Sequence, residues 1–226
     1  MRVAIMQPYF IPYLGYFRLL AAVDLFVAFD CVQFPRRGWV HRNQLRDEAG
    51  QPQWLTLPLD YAPQDTSIDK MAFPAGAADE LRQRMARFPV CRHPATDHAA
   101  RLLAAMTDVR ETPARYIGQI MSTAAEELGI GTEIVYSSTL EISPDLKGQE
   151  RILGICELLG AKAYVNAPGG RDLYDPAVFS ARGIELSFLP EFQGNMLSVL
   201  QRFSDGALPD LRLELRDNLA GVSASR

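Results

Sequence analysis

Apolar residues at the start of the chain fall into short runs. Residues 3–6 and 25–29 are two such runs, and the strand predicted at the first is Arg2 to Met6. Each predicts a buried strand, because a short apolar run bounded by turn signals is typical of strands. Residues 19–22, between them, predict a helix. The order strand, loop, helix, strand indicates half of a doubly wound α/β unit, in which ligands bind at the loop after the first strand.

The middle of the chain is more polar and then turns helical. A basic and aromatic loop follows the second strand, and a hairpin tip at residues 47–50 leads to a predicted strand at 53–58. Residues 78–88 and 96–109 have helical patterns of apolar positions. We therefore expect a helical insertion or cover at about residues 60–110.

The second half of the chain alternates helices with strands. Thr112 and Pro113 form a capping and first-turn pair that begins a helix, and Gly129 ends it. Strands are then predicted at residues 132–136, 163–165 and 184–189, with helices at 152–159 and 175–181. This alternation predicts a mainly parallel, Rossmann-like α/β sheet in a single domain spanning residues 1–226. Residues 220–226 are small and polar, and we expect a frayed tail.

Composition narrows the class of protein. The net charge is −4 and the isoelectric point about 5.4, which disfavours a nucleic-acid-binding surface. No apolar stretch is long enough for a membrane span, and no secretory signal is recognisable at residue 1. We therefore expect a cytoplasmic protein with reduced thiols.

The chain has three cysteines and three histidines, which are few candidate ligands for a metal site. Cys91, His93 and His98 lie close together in the sequence, but their spacing matches no structural zinc pattern. We expect no bound metal.

Three segments carry polar residues that neither helix faces nor strand faces require: residues 7–16, residues 39–43 and residues 147–174. In a parallel sheet the loops after the strands share one edge, so these segments are predicted to converge on one crevice. The candidate binding residues are Gln7, Tyr9, Tyr13, Arg42, Asn43, Lys147, Asn166, Gly169, Gly170 and Tyr174.

The candidate catalytic residues are His41 and Cys31. His41 is the histidine nearest to the three segments and is the candidate general base, with a surface histidine as the alternative. Cys31 is a candidate thiol nucleophile only if a base lies nearby.

The binding candidates have simpler explanations too. Arg42 offers a planar fork for a carboxylate or phosphate, or is a solvated arginine beside Asp47 or Glu48. Gln7 binds an amide or carboxyl group of a ligand, or forms hydrogen bonds with backbone groups of the turn. Tyr9 and Tyr13 line a pocket or pack on the helix, and Gly169-Gly170 permits a close ligand or a tight turn.

Several unusual motifs occur in order along nearly the whole chain. They are MQPYFIPYLGYF, VDLFVAFDCVQF, GWVHRN, SSTL, KGQERILGICELLGAKAYVNAPGGRDLYD and NMLSVL. The chain therefore resembles the WbqC-like protein family, which implies a role in bacterial O-antigen, other polysaccharide or specialised-metabolite biosynthesis. The resemblance also implies transfer of glycine or another aminoacyl group to an amino sugar. The chain departs from the family pattern at Cys31, often Asp, and at His41, often Asn.

A second, local resemblance concerns the first strand, loop and helix. The segment PYLGYFRLLAAVDLFVAFD is similar to the start of the cytidylyltransferase and pantothenate-synthetase superfamily, which implies a nucleotidyltransferase-like, HUP-like fold. Tyr16 stands where that superfamily has a histidine after the glycine. The similarity therefore supports a related fold more than nucleotidyl transfer.

The first functional hypothesis is an amide-forming acyl or aminoacyl transferase acting on a small-molecule or sugar-linked amine. The donor would be a phosphopantetheine-linked thioester on an acyl or peptidyl carrier protein, and no cofactor is required. The alternatives are a nucleotide-binding ligase or nucleotidyltransferase-like enzyme, and a non-catalytic binding protein of a biosynthetic cluster.

Overall fold

The computed structural model describes residues 1–219. The predicted tail at residues 220–226 lies outside the described residues. The strands are β1 Arg2–Met6, β2 Leu25–Ala28, β3 Arg42–Arg46, β4 Pro52–Thr56, β5 Glu133–Tyr136, β6 Ala163–Asn166 and β7 Glu185–Phe188. The α-helices are α1 Phe17–Ala21, α2 Ala77–Met85, α3 Pro89–Arg92, α4 Asp97–Thr107, α5 Pro113–Leu128, α6 Gly148–Leu158, α7 Pro176–Ala181, α8 Val199–Asp205 and α9 Leu208–Asp217.

Five strands form a parallel central sheet in the order β5-β2-β1-β6-β7. Val3 of β1 pairs with Leu25 of β2 on one side and with Tyr164 of β6 on the other. This sheet and its flanking helices confirm the predicted Rossmann-like α/β fold. The bounds predicted for β1 are also those observed.

The alternation of side chains along the strands creates one core on each face of the sheet. Ala4 and Phe26 point into the larger core, where they meet α1, α5 and α9. Val3 and Val27 point into the second core, which α6 and α7 cover. Both faces of the sheet are therefore buried, as parallel sheets require.

Strands β3 and β4 form a separate antiparallel hairpin, in which Arg42 pairs with Thr56 and Asn43 with Leu55. Residues 42 and 43 were predicted to lie in a loop, and this prediction was wrong. The burial along β3 alternates, with Asn43 and Leu45 facing inward. A polar residue at one of the two inward positions hides the period of two on which strand prediction depends.

The remaining helices form a layer beside the sheet. Helix α4 packs on α5 and α8, and α8 also contacts β3. Helices α2 to α4 lie in the region at about 60–110 that was predicted to be helical. No helix within residues 1–219 is long and apolar enough to cross a membrane.

Candidate functional site

A crevice opens at the carboxyl edge of the sheet, where β1 and β6 are neighbours. The chain leaves β1 toward β2 on one side and leaves β6 toward β7 on the other. Such a switch point is where open α/β sheets bind ligands. A cavity of about 530 Å³ lies here, and we call it the strand-edge cavity. Seven predicted binding residues line it: Gln7, Tyr9, Tyr13, Asn166, Gly169, Gly170 and Tyr174.

The loop after β1 is held rigidly. Ile11 is fully buried and has a positive φ of 38°, a strained backbone angle for a β-branched residue. The buried amide nitrogen of Asn43 donates to the carbonyls of Phe10 at 3.1 Å and Ile11 at 2.9 Å. The Tyr16 hydroxyl donates to the carbonyl of Gln7 at 2.7 Å. Gln7 is therefore presented to the cavity from a fixed backbone.

Aromatic side chains make up one wall of the strand-edge cavity. The ring of Tyr9 lies 4.9 Å from that of Tyr16, and the ring of Tyr13 lies 5.6 Å from that of Phe192. Burial raises the pKa of both Tyr9 and Tyr13, so both hydroxyls keep their protons and can donate hydrogen bonds. Gly15 permits this packing, because a Cβ there would lie 2.5 Å from Cγ of Phe192.

The loop after β6 forms the facing wall. The side-chain oxygen of Asn166 accepts the N–H of Ala167 at 2.8 Å. The amide nitrogen of Asn166 lies directly over Gly170, where a Cβ would be 2.2 Å from it. A Cβ at Gly169 would meet no atom within 4 Å. Gly170 is thus required for the position of Asn166, and Gly169 leaves open space beside it.

Two charged residues that the sequence interpretation missed also line this cavity. Arg18 is only 1% exposed, and its Nη2 donates to the carbonyl of Pro190. Its guanidinium lies over the ring of Phe192, 5.7 Å from the centroid. Glu191 follows Pro190 and is exposed at the cavity. The available signal for Arg18 was its place in the apolar run Phe17, Leu19, Leu20, where an arginine is costly to bury.

A second cavity of about 720 Å³ adjoins the first at the start of α6, and we call it the α6 cavity. Phe29, Leu173 and Tyr174 line both cavities. Cys31 and Lys147, two of the predicted site residues, lie in the α6 cavity. The sulfur of Cys31 is 3.5 Å from Nη1 of Arg151.

The structure does not bring His41, Arg42 and Asn43 to the strand-edge cavity. His41 lines a third cavity of about 410 Å³ with Arg84. Burial, with Arg42 and Arg84 nearby, lowers the pKa of His41 to about 4. Asn43 instead holds the loop after β1, through its hydrogen bonds to the carbonyls of Phe10 and Ile11.

Arg42 is occupied within its own hairpin region. Its guanidinium lies 4.4 Å from the ring centroid of Trp54, and its Nη2 donates to the carbonyl of Arg37 at 2.7 Å. The catalytic roles of His41 and Cys31 and the ligand-binding role of Arg42 stay predictions.

Metal-ligating side chains do not cluster in the described part of the chain. Within residues 1–219, no three His, Cys, Asp or Glu side chains are grouped so that they could hold a metal ion.

Comparison with known proteins places the chain in a family. The model of the WbqC-like protein family matches residues 7–194, most of the chain. The chain belongs to the WbqC-like protein family. It is similar to "Uncharacterized protein Rv1507c" of Mycobacterium tuberculosis (strain ATCC 25618 / H37Rv), with 27% identity over 194 residues, covering 83% of this chain and 81% of the relative. No solved structure matches the chain.

The WbqC-like segment contains the charged and polar residues of the strand-edge cavity. The match begins at Gln7 and includes Arg18, Asn166 and Glu191. Lys147 and Cys31 of the α6 cavity also lie within it.

Proposed function

We propose that this WbqC-like protein is an amide-forming transferase that moves an acyl or aminoacyl group from a thioester to an amine. The amine acceptor occupies the strand-edge cavity, and the thioester donor enters through the α6 cavity. The acceptor is a small-molecule or sugar-linked amine of a bacterial polysaccharide or specialised-metabolite pathway, in line with the family resemblance.

The observation that carries the proposal is the wall that the two cavities share. Group transfer requires two substrates to meet with their reacting atoms about 3–3.5 Å apart. Phe29, Leu173 and Tyr174 line both cavities, so the two cavities are adjacent, and we place the meeting of donor and acceptor at these side chains. A single closed cavity would favour a binding protein instead.

Glu191 suits the task of the base in this reaction. It is the one acidic residue lining the strand-edge cavity among the described residues. Its carboxylate attracts the acceptor ammonium and takes a proton from it. The free amine attacks the thioester carbonyl, a C–N bond forms and the C–S bond breaks. The departing thiolate takes up the proton that the nitrogen loses, so charge and atoms balance.

The tyrosines supply donors for the oxygen that becomes negative during the attack. Tyr9 and Tyr13 stay protonated because burial raises their pKa values. A hydroxyl aimed at the developing oxyanion stabilises the transition state more than the substrate.

The α6 cavity has features that suit a phosphopantetheine arm. Lys147 lies there at the position before α6, whose first residue, Gly148, also lines the cavity. A lysine and a helix N-terminus both attract phosphate. A carrier protein is the partner that would deliver such an arm. Cys31 lies in the same cavity, but His41 lines a different one, so direct attack by the amine needs fewer assumptions than a thiol intermediate.

Nucleotidyl transfer has less support at this site. A nucleoside triphosphate carries several negative charges, and the strand-edge cavity offers Arg18 as its one basic side chain within the described residues. The carboxylate of Glu191 would repel the phosphates. The amine of the first hypothesis fits this charge distribution better.

The test is a transfer assay with glycyl-pantetheine and acetyl-pantetheine thioesters as donors and glucosamine as acceptor. Amide product is measured by mass spectrometry, and released thiol is measured in the same samples. We expect product with the wild type and at least a ~100-fold lower rate for Glu191→Gln, the usual scale of losing a general base. Glu185→Gln is the control. Glu185 is the first residue of β7, whereas Glu191 follows the end of that strand, so this variant should keep the wild-type rate. Absence of amide product with both donors, or an unchanged rate in Glu191→Gln, would contradict the proposal.

A further inference from the structure

We infer that the acceptor in the strand-edge cavity carries a carboxylate as well as an amine, and that Arg18 binds this carboxylate. The inference rests on the proposed function for the identity of the cavity. It adds the substrate class, namely an amine that is also an acid, such as an α-amino acid or an amino sugar with a uronic acid group.

The starting observation is an incomplete set of partners around a buried cation. Arg18 is 1% exposed, and its Nε and Nη1 atoms are buried without a hydrogen-bond partner among the described residues. An arginine has five N–H donors, and here only Nη2 has an acceptor, the carbonyl of Pro190. A buried charge without a counter-ion is strongly unfavourable, so native proteins rarely keep one without a functional reason.

A purely structural role would not require these free donors. The bond to Pro190 and the contact with Phe192 use one nitrogen and one face of the guanidinium. The remaining donors belong to a side chain that lines the cavity. A planar guanidinium with unused N–H groups matches the two oxygens of a carboxylate.

The charges of the cavity favour a carboxylate over a phosphate. Arg18 and Glu191 are the cavity's basic and acidic residues within the described chain. Burial lowers the pKa of Arg18 and the charge of Glu191 partly opposes this, but within residues 1–219 the two side chains do not approach closely enough to form an ion pair. A ligand that satisfies both carries one negative and one positive group. A phosphate ester with nearly two negative charges would leave an excess beside Glu191.

Phe192 covers Arg18 and must turn aside when the ligand binds. Its ring is half-buried and lies between Gly15 and Gly194, where a Cβ would come within 2.5 Å and 2.4 Å of it. Because Nε and Nη1 of Arg18 are buried and its guanidinium lies against this ring, we expect the ring to move when a ligand reaches these donors. Removing its ring opens the path to Arg18.

The experiment compares matched ligands that differ in the acidic group, using the full chain and isothermal titration. Glucosaminuronic acid is compared with glucosamine, and glycine with glycinamide. Glucosamine 6-phosphate tests whether a phosphate replaces the carboxylate. We expect at least one acidic ligand to bind about tenfold or more tightly than its neutral match. A hydrogen bond to a charged group changes the affinity by about this factor.

Variants show whether Arg18 causes the preference. Arg18→Met keeps the length of the side chain and should remove the preference for the acidic ligand, while the thermal midpoint is unchanged or higher because an unpaired charge has gone. Arg87→Met, which replaces an exposed arginine outside the cavity, is the control and keeps the preference. Phe192→Ala should keep or increase it.

Four results would overturn the inference: equal binding of matched ligands, no binding of any of them, tighter binding of the phosphate, or a preference that survives in Arg18→Met. Binding is measured without a thioester. Failure of the transfer assay with a preserved carboxylate preference would therefore refute the proposed reaction, while the binding of a carboxylate by Arg18 would stand.

Discussion

The side-chain amide of Asn43 donates to the backbone carbonyl of Ile11 at 2.9 Å, and Ile11 is the non-glycine residue with a positive φ among residues 1–219. The hairpin thereby fixes the strained turn of the loop that presents Gln7, Tyr9 and Tyr13. A residue from outside the cavity determines the shape of its wall.

Asn43→Ala should therefore destabilise the protein. It leaves the carbonyls of Phe10 and Ile11 without their donor, and we expect the free energy of unfolding to fall by about 3 kcal/mol. Gln44→Ala, at the next position of β3, is the control and should cost less than about 1 kcal/mol. Urea unfolding measures both. Equal stability of the two variants would show that the hydrogen bonds of Asn43 to the loop do not stabilise the fold.

The glycine pair after β6 should respond unequally to alanine. Gly170→Ala places a methyl group on the amide nitrogen of Asn166, so we expect a loss of about 1–3 kcal/mol and weaker acceptor binding. Gly169→Ala meets no atom and should leave stability within about 0.5 kcal/mol of the wild type. Thermal unfolding and acceptor titration check this. If Gly169→Ala were the more destabilising of the two, the arrangement of this loop would be incorrect.

His41 should make stability depend on pH in a defined window. Its pKa is about 4 in the folded protein and about 6.5 when unfolded, so the unfolded state binds more protons between these values. The free energy of unfolding therefore falls as the pH falls from about 6.5 to about 4. Replacing His41 with Asn should reduce this slope in urea unfolding at pH 7 and pH 5. The exposed His93 offers the control: His93→Gln should retain the wild-type slope, and an unchanged slope in both variants would contradict the burial of His41.

Removing either of two tyrosine hydroxyls should lower stability, but removing only one of them should also weaken acceptor binding. Tyr16→Phe loses the bond to the Gln7 carbonyl, and Tyr116→Phe loses a bond of 2.6 Å to the Met106 carbonyl. Both should lower the free energy of unfolding by about 1 kcal/mol. Only Tyr16→Phe should also weaken acceptor binding, because Gln7 lines the cavity. Equal affinity in the two variants would argue against a binding role for the loop after β1.

The sequence was sufficient to predict the sheet and much of its carboxyl edge. Residues 3–6 of strand β1 are an uninterrupted apolar run, and the neighbouring strands alternate with helices, so the order of the elements was visible in the sequence. Gln7 and Asn166 were found because each stands where a parallel strand ends, and the fold brings such positions together.

The residues of the hairpin were misplaced because sequence position does not reveal which face of a short strand is buried. Asn43 is polar yet occupies an inward position, so β3 lacked the apolar alternation of a strand. Arg18 was missed because its burial depends on Pro190 and Phe192, more than 170 residues away. Helices α8 and α9 had recognisable signals, such as the capping Ser198 and the periodic Leu208, Leu211 and Leu215, that were not used.

The most direct test of the central claim is a crystal structure of the protein with an amine acceptor and a stable thioether analogue of glycyl-pantetheine. We expect the acceptor nitrogen to lie in the strand-edge cavity near Glu191 and the pantetheine chain to lie in the α6 cavity near Lys147. The nitrogen should lie within about 3.5 Å of the carbon that replaces the acyl group, beside Tyr174. An acceptor bound in the His41 cavity, or a pantetheine chain outside the α6 cavity, would show that the two substrates do not meet as proposed.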